Sequence, residues 1–211
     1  MNHILDIHTH NINAGSGAVI SVGVDEFAPC EGCCYSVGVH PWHIPDDVPA
    51  IMRQLEIVAA HPQVVALGET GMDSLRGASI DVQESLFRQH IALAALMSKP
   101  VVAHMVRTSQ QLVRAWREMS PAGIALVVHC MRGNENVARQ LVEAGCYLSF
   151  GARYNPAALL ATPLNRILAE TDEAPLPITG VVKAMASTLN INAGALTSVL
   201  QENAARALGR M

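Results

Sequence analysis

Histidines and carboxylates, the side chains that most often bind divalent cations in proteins, recur at the ends of short apolar runs in this sequence. His8 and His10 close the first run. They are two residues apart, so their side chains leave the same side of an extended chain, with α-carbons ~7 Å apart and within reach of one metal ion. The same pattern ends four later runs, at Glu69, His104, His129 and Asp172. The residue types therefore indicate metal-dependent chemistry.

Eight apolar runs, each of the length of a buried parallel strand, carry these residues. They span residues 4–8, 18–22, 35–39, 64–68, 101–104, 124–129, 146–150 and 166–171. Helical patterns lie between most of them, at residues 49–60, 81–98, 109–119, 134–144, 178–190 and 193–208. This alternation predicts an α/β protein, a TIM-like (β/α)₈ barrel that occupies residues 1–211 as a single domain.

The first part of the predicted barrel departs from the regular pattern. Only residues 9–17 separate the first two runs, and a similarly short stretch rich in Gly, Pro and Cys separates the second from the third. A parallel crossover that contains a helix needs about a dozen residues or more. We therefore expect a distorted barrel that lacks helices after its first two strands.

The strand ends of a parallel barrel meet at one face, where barrel enzymes keep their chemistry. Unpaired imidazoles and carboxylates gathered there would each cost several kcal/mol, and bound divalent cations would offset that cost. Asp6 lies one step deeper than His8 on the same face of the first strand. Two interpretations of Asp6 stay open, since it either orients one of the imidazoles or is a buried acid with local partners.

The other histidines differ in their placement. His40 ends the third run and is expected to point into the barrel mouth as a substrate or transition-state contact, with Trp42 and His43 in the pocket wall. Three others have no such placement and are expected to be surface or packing residues, namely His3, His61 and His90.

Charge and composition limit the function further. The formal net charge is −4, and the 14 basic residues form no run, which argues against sequence-independent coating of nucleic acid. Phosphate would be bound locally, by cations or by the arginines after the fifth, sixth and seventh strands, although solvated loop arginines are the alternative interpretation. These arginines are Arg107, Arg132 and Arg153.

The expected setting is the cytoplasm. The first residues lack the basic and apolar segments of a signal peptide, and no apolar run approaches the ~20 residues of a membrane span. The five cysteines are odd in number and unevenly spread, which favours a reducing compartment.

The motifs, in their order along the chain, resemble those of the TatD family of metal-dependent hydrolases. They are DIHTH at residues 6–10, GVHP at 38–41, ALGETGMD at 66–73, KPVVAH at 99–104, His129, ETD at 170–172 and ENAAR at 202–206. The resemblance spans nearly the whole chain, and the sequence looks most like a short branch of the family. Its departures are the short segment between His10 and Tyr35, an arginine one residue late at Arg107, and HCMRG at 129–133.

The resemblance implies a distorted (β/α)₈ barrel with a two-metal site. In that site His8, His10 and Asp172 bind one ion, Glu69 bridges, and His104 and His129 bind the other. Independently of the family, four imidazoles and two carboxylates suit Zn²⁺, Mn²⁺, Ni²⁺ or Fe²⁺ better than Mg²⁺. The identity of the two divalent ions stays open.

The expected reaction is hydrolysis by a metal-bound hydroxide. Asp172 is expected to orient the attacking water and take its proton, while Glu69 holds the metals. The leading hypothesis is a phosphodiesterase or deoxyribonuclease that acts on a DNA end or a short single strand. Two alternatives are an amidohydrolase that cleaves a C–N or carboxyl-ester bond and a metal- or nucleotide-binding module without turnover.

Overall fold

Eight parallel strands form one closed barrel and carry the polar residues singled out above. The computed structural model describes residues 4–119 and 122–210. Each strand pairs with its neighbours in chain order, and the first pairs with the last. The strands are β1 (Asp6–Thr9), β2 (Ala18–Gly23), β3 (Cys34–Gly38), β4 (Val64–Asp73), β5 (Val101–Val106), β6 (Leu126–Val128), β7 (Tyr147–Phe150) and β8 (Ile167–Ala169). The predicted TIM-like barrel is confirmed.

The helices pack around the barrel from β3 onward. They are α1 (Val48–Ala59), α2 (Ile80–Met97), α3 (Ser109–Met119), α4 (Glu135–Glu143), α5 (Pro156–Ala161), α6 (Ile178–Leu189) and α7 (Ala193–Ala207). Residues 10–17 and 24–33, all of them described, contain only the 3-10 turns Gly15–Gly17 and Val24–Glu26, so the helices after β1 and β2 are missing as expected. The sequence did not predict α5, because its six residues are too few to show a helical period. Within the described ranges, every helix is too short or too polar to cross a membrane.

Strand alternation separates the core into two layers and directs the polar residues to the mouth. Val101 and Ala103 pack in the cluster that includes the surrounding helices, whereas Val102 between them belongs to a second cluster with Val127 and Leu168. Successive strand residues point to opposite faces, so this second set faces into the barrel. Two residues further along, the same inward positions hold His104, His129 and Glu170. An apolar floor thus underlies a polar opening.

Strand β4 is longer than the sequence predicted. It continues past Gly68 to Asp73 and pairs Gly71 with His104 and Asp73 with Val106 of β5. The close approach depends on Gly71, which has φ of +123°, and a Cβ there would lie 2.2 Å from the His104 carbonyl oxygen. Glu69 therefore lies within a strand, between Leu67 and Thr70, which pair with β5.

The histidines outside the mouth differ in their surroundings. His3 lies outside the described residues, and His61 packs its ring 5.2 Å from that of Phe27. His90 on α2 is fully buried. Its Nδ1 donates to the Leu86 carbonyl oxygen at 2.9 Å, and its Nε2 accepts from the Val39 N–H at 3.1 Å. His90 is therefore a packing residue that also fixes the end of β3.

The His90→Gln variant is expected to lose less stability on acidification than the wild-type protein. Burial lowers the pKa of His90 from 6.5 to about 4. Between these values the unfolded chain binds a proton that the folded protein excludes, so the stability contributed by His90 is present above pH 6.5 and falls as the pH falls to 4. The free energy of unfolding, measured with urea on metal-free protein, should fall by about 3 kcal/mol more in the wild type.

The buried Asp6, whose pKa burial raises to about 6, works in the opposite direction. Because Asp6 is present in both proteins, its effect cancels in the difference between them. Parallel pH profiles for the wild type and His90→Gln would contradict the assignment of a neutral, buried His90.

Candidate metal centre

Glu69 lies at the centre of the barrel mouth and is only 5% exposed. Its Oε2 is 3.4 Å from His8 Nε2 and 3.5 Å from His10 Nε2. Its Oε1 is 2.9 Å from His104 Nδ1 and 2.7 Å from His129 Nε2. One carboxylate oxygen therefore faces the imidazoles at the end of β1, and the other faces those of β5 and of the segment after β6.

Asp172 reaches the same mouth because the chain after β8 continues to pair with β1. The His10 N–H donates to the Asp172 carbonyl oxygen at 3.2 Å, and the Asp172 N–H donates to the His8 carbonyl oxygen at 3.0 Å. Asp172 Oδ1 lies 3.8 Å from Nε2 of both histidines. The structure thus brings all six expected ligands to one opening.

Asp6 has local partners and does not orient an imidazole. Its Oδ1 accepts from the Thr171 N–H at 3.0 Å, and its Oδ2 accepts from the Thr171 hydroxyl at 2.6 Å. Of the two interpretations that the sequence left open, the structure supports the buried acid. Because Thr171 directly precedes Asp172, Asp6 holds the backbone that presents this carboxylate.

Glu170 is a buried acid at the site that the sequence interpretation missed. Its Oε1 accepts from the Cys130 N–H at 2.7 Å and lies 3.6 Å from His129 Nδ1, on the side of the ring opposite Glu69. The alternation of β8 was the signal that could have found it, since Glu170 is two residues after the inward Leu168.

Electrostatics keep the site in the protonation states that metal ligands need. Burial raises the pKa of the Glu69 carboxyl, but the charge of His129 and hydrogen bonds from three imidazoles hold it well below its usual range. Burial, followed by the charge of His129, lowers the pKa of His8. A carboxylate that stays ionised and an imidazole that stays neutral are the forms that bind cations.

His10 and His129 are exceptions. The hydrogen bond with Glu69 raises the pKa of His10 above its usual value, and the state of His129 reflects an excess of negative charge. Burial lowers the pKa of His129, yet the neighbouring Glu69 and Glu170 raise it well above the usual value. The two carboxylates thus favour the protonated, positively charged form of the His129 imidazole. A divalent cation would supply that charge instead, and its binding would release the proton.

The buried nitrogens support the same assignment. Both Nδ1 and Nε2 of His8 are buried without a hydrogen-bond partner. Such groups are rare, because an unpaired buried polar atom costs about 1–3 kcal/mol. A cation between His8, His10 and Asp172, whose ligand atoms lie within 4.8 Å of one another, would satisfy Nε2. The residues present therefore fit a metal centre.

His40 joins the site in a different way from the other histidines. Its Nδ1 accepts from the Trp42 N–H at 3.1 Å, and its Nε2 lies 3.0 Å from Glu69 Oε1. A neutral imidazole that accepts at Nδ1 carries its proton on Nε2. His40 therefore presents a donor to the mouth, in keeping with the expected role in contacting substrate.

A cavity of about 1140 Å³ opens over these side chains. Trp42 and His43 lie in its wall, as the sequence predicted, and Arg107 and Arg132 line the opposite side. Arg132 Nη2 is 3.9 Å from Asp172 Oδ2. Arg153 is exposed in the turn after β7 and is absent from the cavity lining, so the structure does not bring it to the site.

An eight-stranded parallel barrel with imidazoles and carboxylates gathered at its carboxyl-terminal mouth defines the class of metal-dependent barrel hydrolases. A family model described as TatD related DNase matches residues 24–209 of this chain. The chain belongs to the TatD family.

Individual relatives agree with this assignment. The chain is 30% identical over 145 residues to a Bacillus subtilis protein named uncharacterized metal-dependent hydrolase YabD, an alignment that covers 65% of this chain and 57% of that protein. It is 31% identical over 154 residues to a Klebsiella pneumoniae protein named 3'-5' ssDNA/RNA exonuclease TatD, covering 67% of this chain and 57% of that one. The matched part is thus less than two thirds of each relative.

The fold is similar to that of a solved TatD homologue from Escherichia coli, YjjV. The TM-score is 0.84, the sequence identity is 20%, and the superposition covers 97% of each chain. This similarity concerns the fold alone. It agrees with the barrel topology described above.

Proposed function

We propose that this chain is a hydrolase that uses two divalent cations to cleave phosphodiester bonds at the end of a single-stranded or short nucleic acid. The observation that carries the proposal is the division of the Glu69 carboxylate, with Oε2 facing His8 and His10 and Oε1 facing His104 and His129. A carboxylate shared in this way is suited to bridge two ions.

The residues fall into two ligand groups around Glu69. His8, His10 and Asp172 would hold one ion, and His104 with His129 the other. When bound, a pair of such ions lowers the pKa of water and stabilises the attacking and leaving oxygens of a phosphoryl displacement. Four imidazoles favour Zn²⁺, Mn²⁺, Ni²⁺ or Fe²⁺ over Mg²⁺.

Asp172 is the proposed proton acceptor. Its side chain is 21% exposed, whereas that of Glu69 is 6% exposed, so Asp172 is the carboxylate at this site that water and substrate reach. Its backbone is fixed by hydrogen bonds with His8 and His10, which hold the carboxylate in the mouth beside these two histidines. General-base groups positioned in this way contribute about 10²–10⁴-fold to a rate.

Substrate binding is assigned to donors on opposite walls of the cavity. His40 offers Nε2–H from the β3 side, and Arg107 and Arg132 offer guanidinium groups from the β5 and β6 side. Guanidinium groups bind phosphate oxygens through paired hydrogen bonds. A substrate phosphate held between these walls would lie over Glu69 and the histidines.

The charge of the chain favours a small or single-stranded substrate over a long duplex. A net charge of −4 and the acidic rim residues Asp25, Glu26 and Glu173 give little attraction for an extended phosphate backbone. The name of the Klebsiella pneumoniae relative, a 3'-5' ssDNA/RNA exonuclease, agrees with a substrate of this kind. A free end also enters a cavity of this shape without unpairing.

The proposal is tested with protein stripped of metal by a chelator and reloaded with Zn²⁺, Mn²⁺ or Mg²⁺. We expect stripped protein to cleave nothing, and reloaded protein to shorten a labelled single-stranded oligonucleotide about tenfold faster than a blunt duplex, because unpairing a base costs a few kcal/mol. Gel analysis of product lengths over time measures both quantities.

The same reloaded protein is assayed on a lactone and an amide panel. Cleavage of these compounds with no cleavage of oligonucleotide or of a generic phosphodiester would favour an amidohydrolase. Nucleotide binding without cleavage of any substrate would favour a binding module. Either result would contradict the proposed phosphodiesterase.

A further inference from the structure

Asp73 is a buried carboxylate next to the site to which the sequence assigned no role. It lies four residues after Glu69 at the end of β4 and is 3% exposed. Its Oδ2 accepts from Trp42 Nε1 at 2.7 Å and lies 3.3 Å from His104 Nε2. Its Oδ1 accepts from the Leu75 N–H at 2.7 Å. Both oxygens are thus used, and the imidazole of a proposed metal ligand is one of the partners.

The backbone of Asp73 is held as firmly as its side chain. The Asp73 N–H donates to Gln83 Oε1 at 2.7 Å, and Gln83 Nε2 donates to the Asp73 carbonyl oxygen at 3.1 Å. Gln83 is fully buried and also bonds the carbonyl oxygens of Arg76 and Ala78. The backbone that carries the carboxylate is therefore held by α2 and the loop before it.

The ring of His104 lies between two carboxylates. Its Nδ1 is 2.9 Å from Glu69 Oε1, and its Nε2 faces Asp73. The other histidines proposed as ligands direct Nε2 to Glu69, and His104 alone among them directs Nδ1 there. A carboxylate that accepts a hydrogen bond from Nε2–H leaves the lone pair on Nδ1 free for a cation.

We propose that Asp73 is the positioning residue of His104, which it turns so that Nδ1 binds the metal, and that Trp42 holds the Asp73 carboxylate in place. This inference rests on the proposed metal centre. The inference also connects a residue of the cavity wall with a proposed ligand, because Trp42 lines the cavity and bonds Asp73. The Arg76 guanidinium lies 4.7 Å from the centre of the Trp42 ring.

The test measures Zn²⁺ binding by calorimetry with the full chain stripped of metal, in the wild type and in Asp73→Asn, Trp42→Phe and Asp46→Asn. Removing a carboxylate that supports a metal-ligating histidine typically costs 10–100-fold in affinity, and we expect about that loss for one ion in Asp73→Asn. Trp42→Phe keeps the carboxylate but removes one donor, so its loss should be smaller. Asp46→Asn removes an exposed acid from the same loop as Trp42 and should bind as the wild type does.

A second measurement determines directly which nitrogen of His104 binds the metal, and it needs no variant. In ¹⁵N spectra of the Zn²⁺-loaded wild type, His104 should show a protonated Nε2 and a metal-bound Nδ1. This readout keeps the inference testable if Asp73→Asn fails to fold, and thermal unfolding of each variant identifies that case.

The outcomes separate the two proposals. If the wild-type protein binds no Zn²⁺, the proposed metal centre itself is contradicted. If the wild type binds Zn²⁺ tightly and Asp73→Asn binds it equally well, the proposed role of Asp73 is contradicted. A metal-bound Nε2 in His104 would contradict it as well. Neither result would contradict the proposed metal centre.

Discussion

Replacing Glu69 by glutamine should abolish hydrolysis, with a fall in kcat/KM of about 10³-fold or more. The amide keeps the size of the side chain but loses the charge that two groups of imidazoles share. Loss of the ions would remove several kcal/mol of transition-state stabilisation, and each 1.4 kcal/mol corresponds to a factor of ten. Steady-state rates on a phosphodiester, measured together with the metal content, check this result.

Glu118→Gln is the matched control, because it makes the same chemical change at an exposed residue of α3. Glu118 pairs with Arg88 on the surface, and such pairs contribute about 0–1 kcal/mol. Circular dichroism should show the barrel intact in both variants. Turnover at the wild-type rate in Glu69→Gln would contradict the bridging role.

The Asp172→Asn variant should lose about 10²–10⁴-fold in kcat while still binding metal through His8 and His10. The amide keeps an oxygen that can contact an ion but cannot accept a proton. The loss should therefore appear in kcat and leave the metal content unchanged. Rates at saturating metal, measured together with the metal content, separate proton transfer from metal binding.

Asp25→Asn is the comparison for this variant. Asp25 is exposed and lines the same cavity. The substitution Asp25→Asn therefore removes one negative charge near the substrate, as Asp172→Asn does, at a residue that is not a proposed ligand. We expect its kcat to match that of the wild type. A kcat in Asp172→Asn equal to that of the wild type would contradict the role of Asp172 as proton acceptor.

The positions of the proposed ligands could be predicted from the sequence, because an apolar run of strand length is a local pattern. Such runs end in His104 and His129, and parallel strands must end at one face of a barrel. The family resemblance added the pairing of ligands with ions. The missing helices after β1 and β2 followed from chain length alone.

Contacts across the barrel could not be predicted in the same way. Asp6 accepts a hydrogen bond from Thr171, 165 residues away in the sequence. Glu170, which follows β8, lies 3.6 Å from His129, which follows β6. Such pairs depend on the register between strands and on how the barrel closes. Local patterns carry no information on either, which is why Asp6 remained ambiguous and Arg153 was grouped with arginines that line the cavity.

By itself, the amino-acid sequence determined that histidines and carboxylates would gather at one end of a parallel barrel, since it contains both the residue types and the positions at which the apolar runs end. The tertiary structure alone decided which oxygen of Glu69 faces which histidines and which nitrogen of His104 faces Asp73. The pairing of β4 with β5 places His104 beside Gly71, between Glu69 and Asp73 in the sequence of β4, a close backbone approach that only the folded barrel creates.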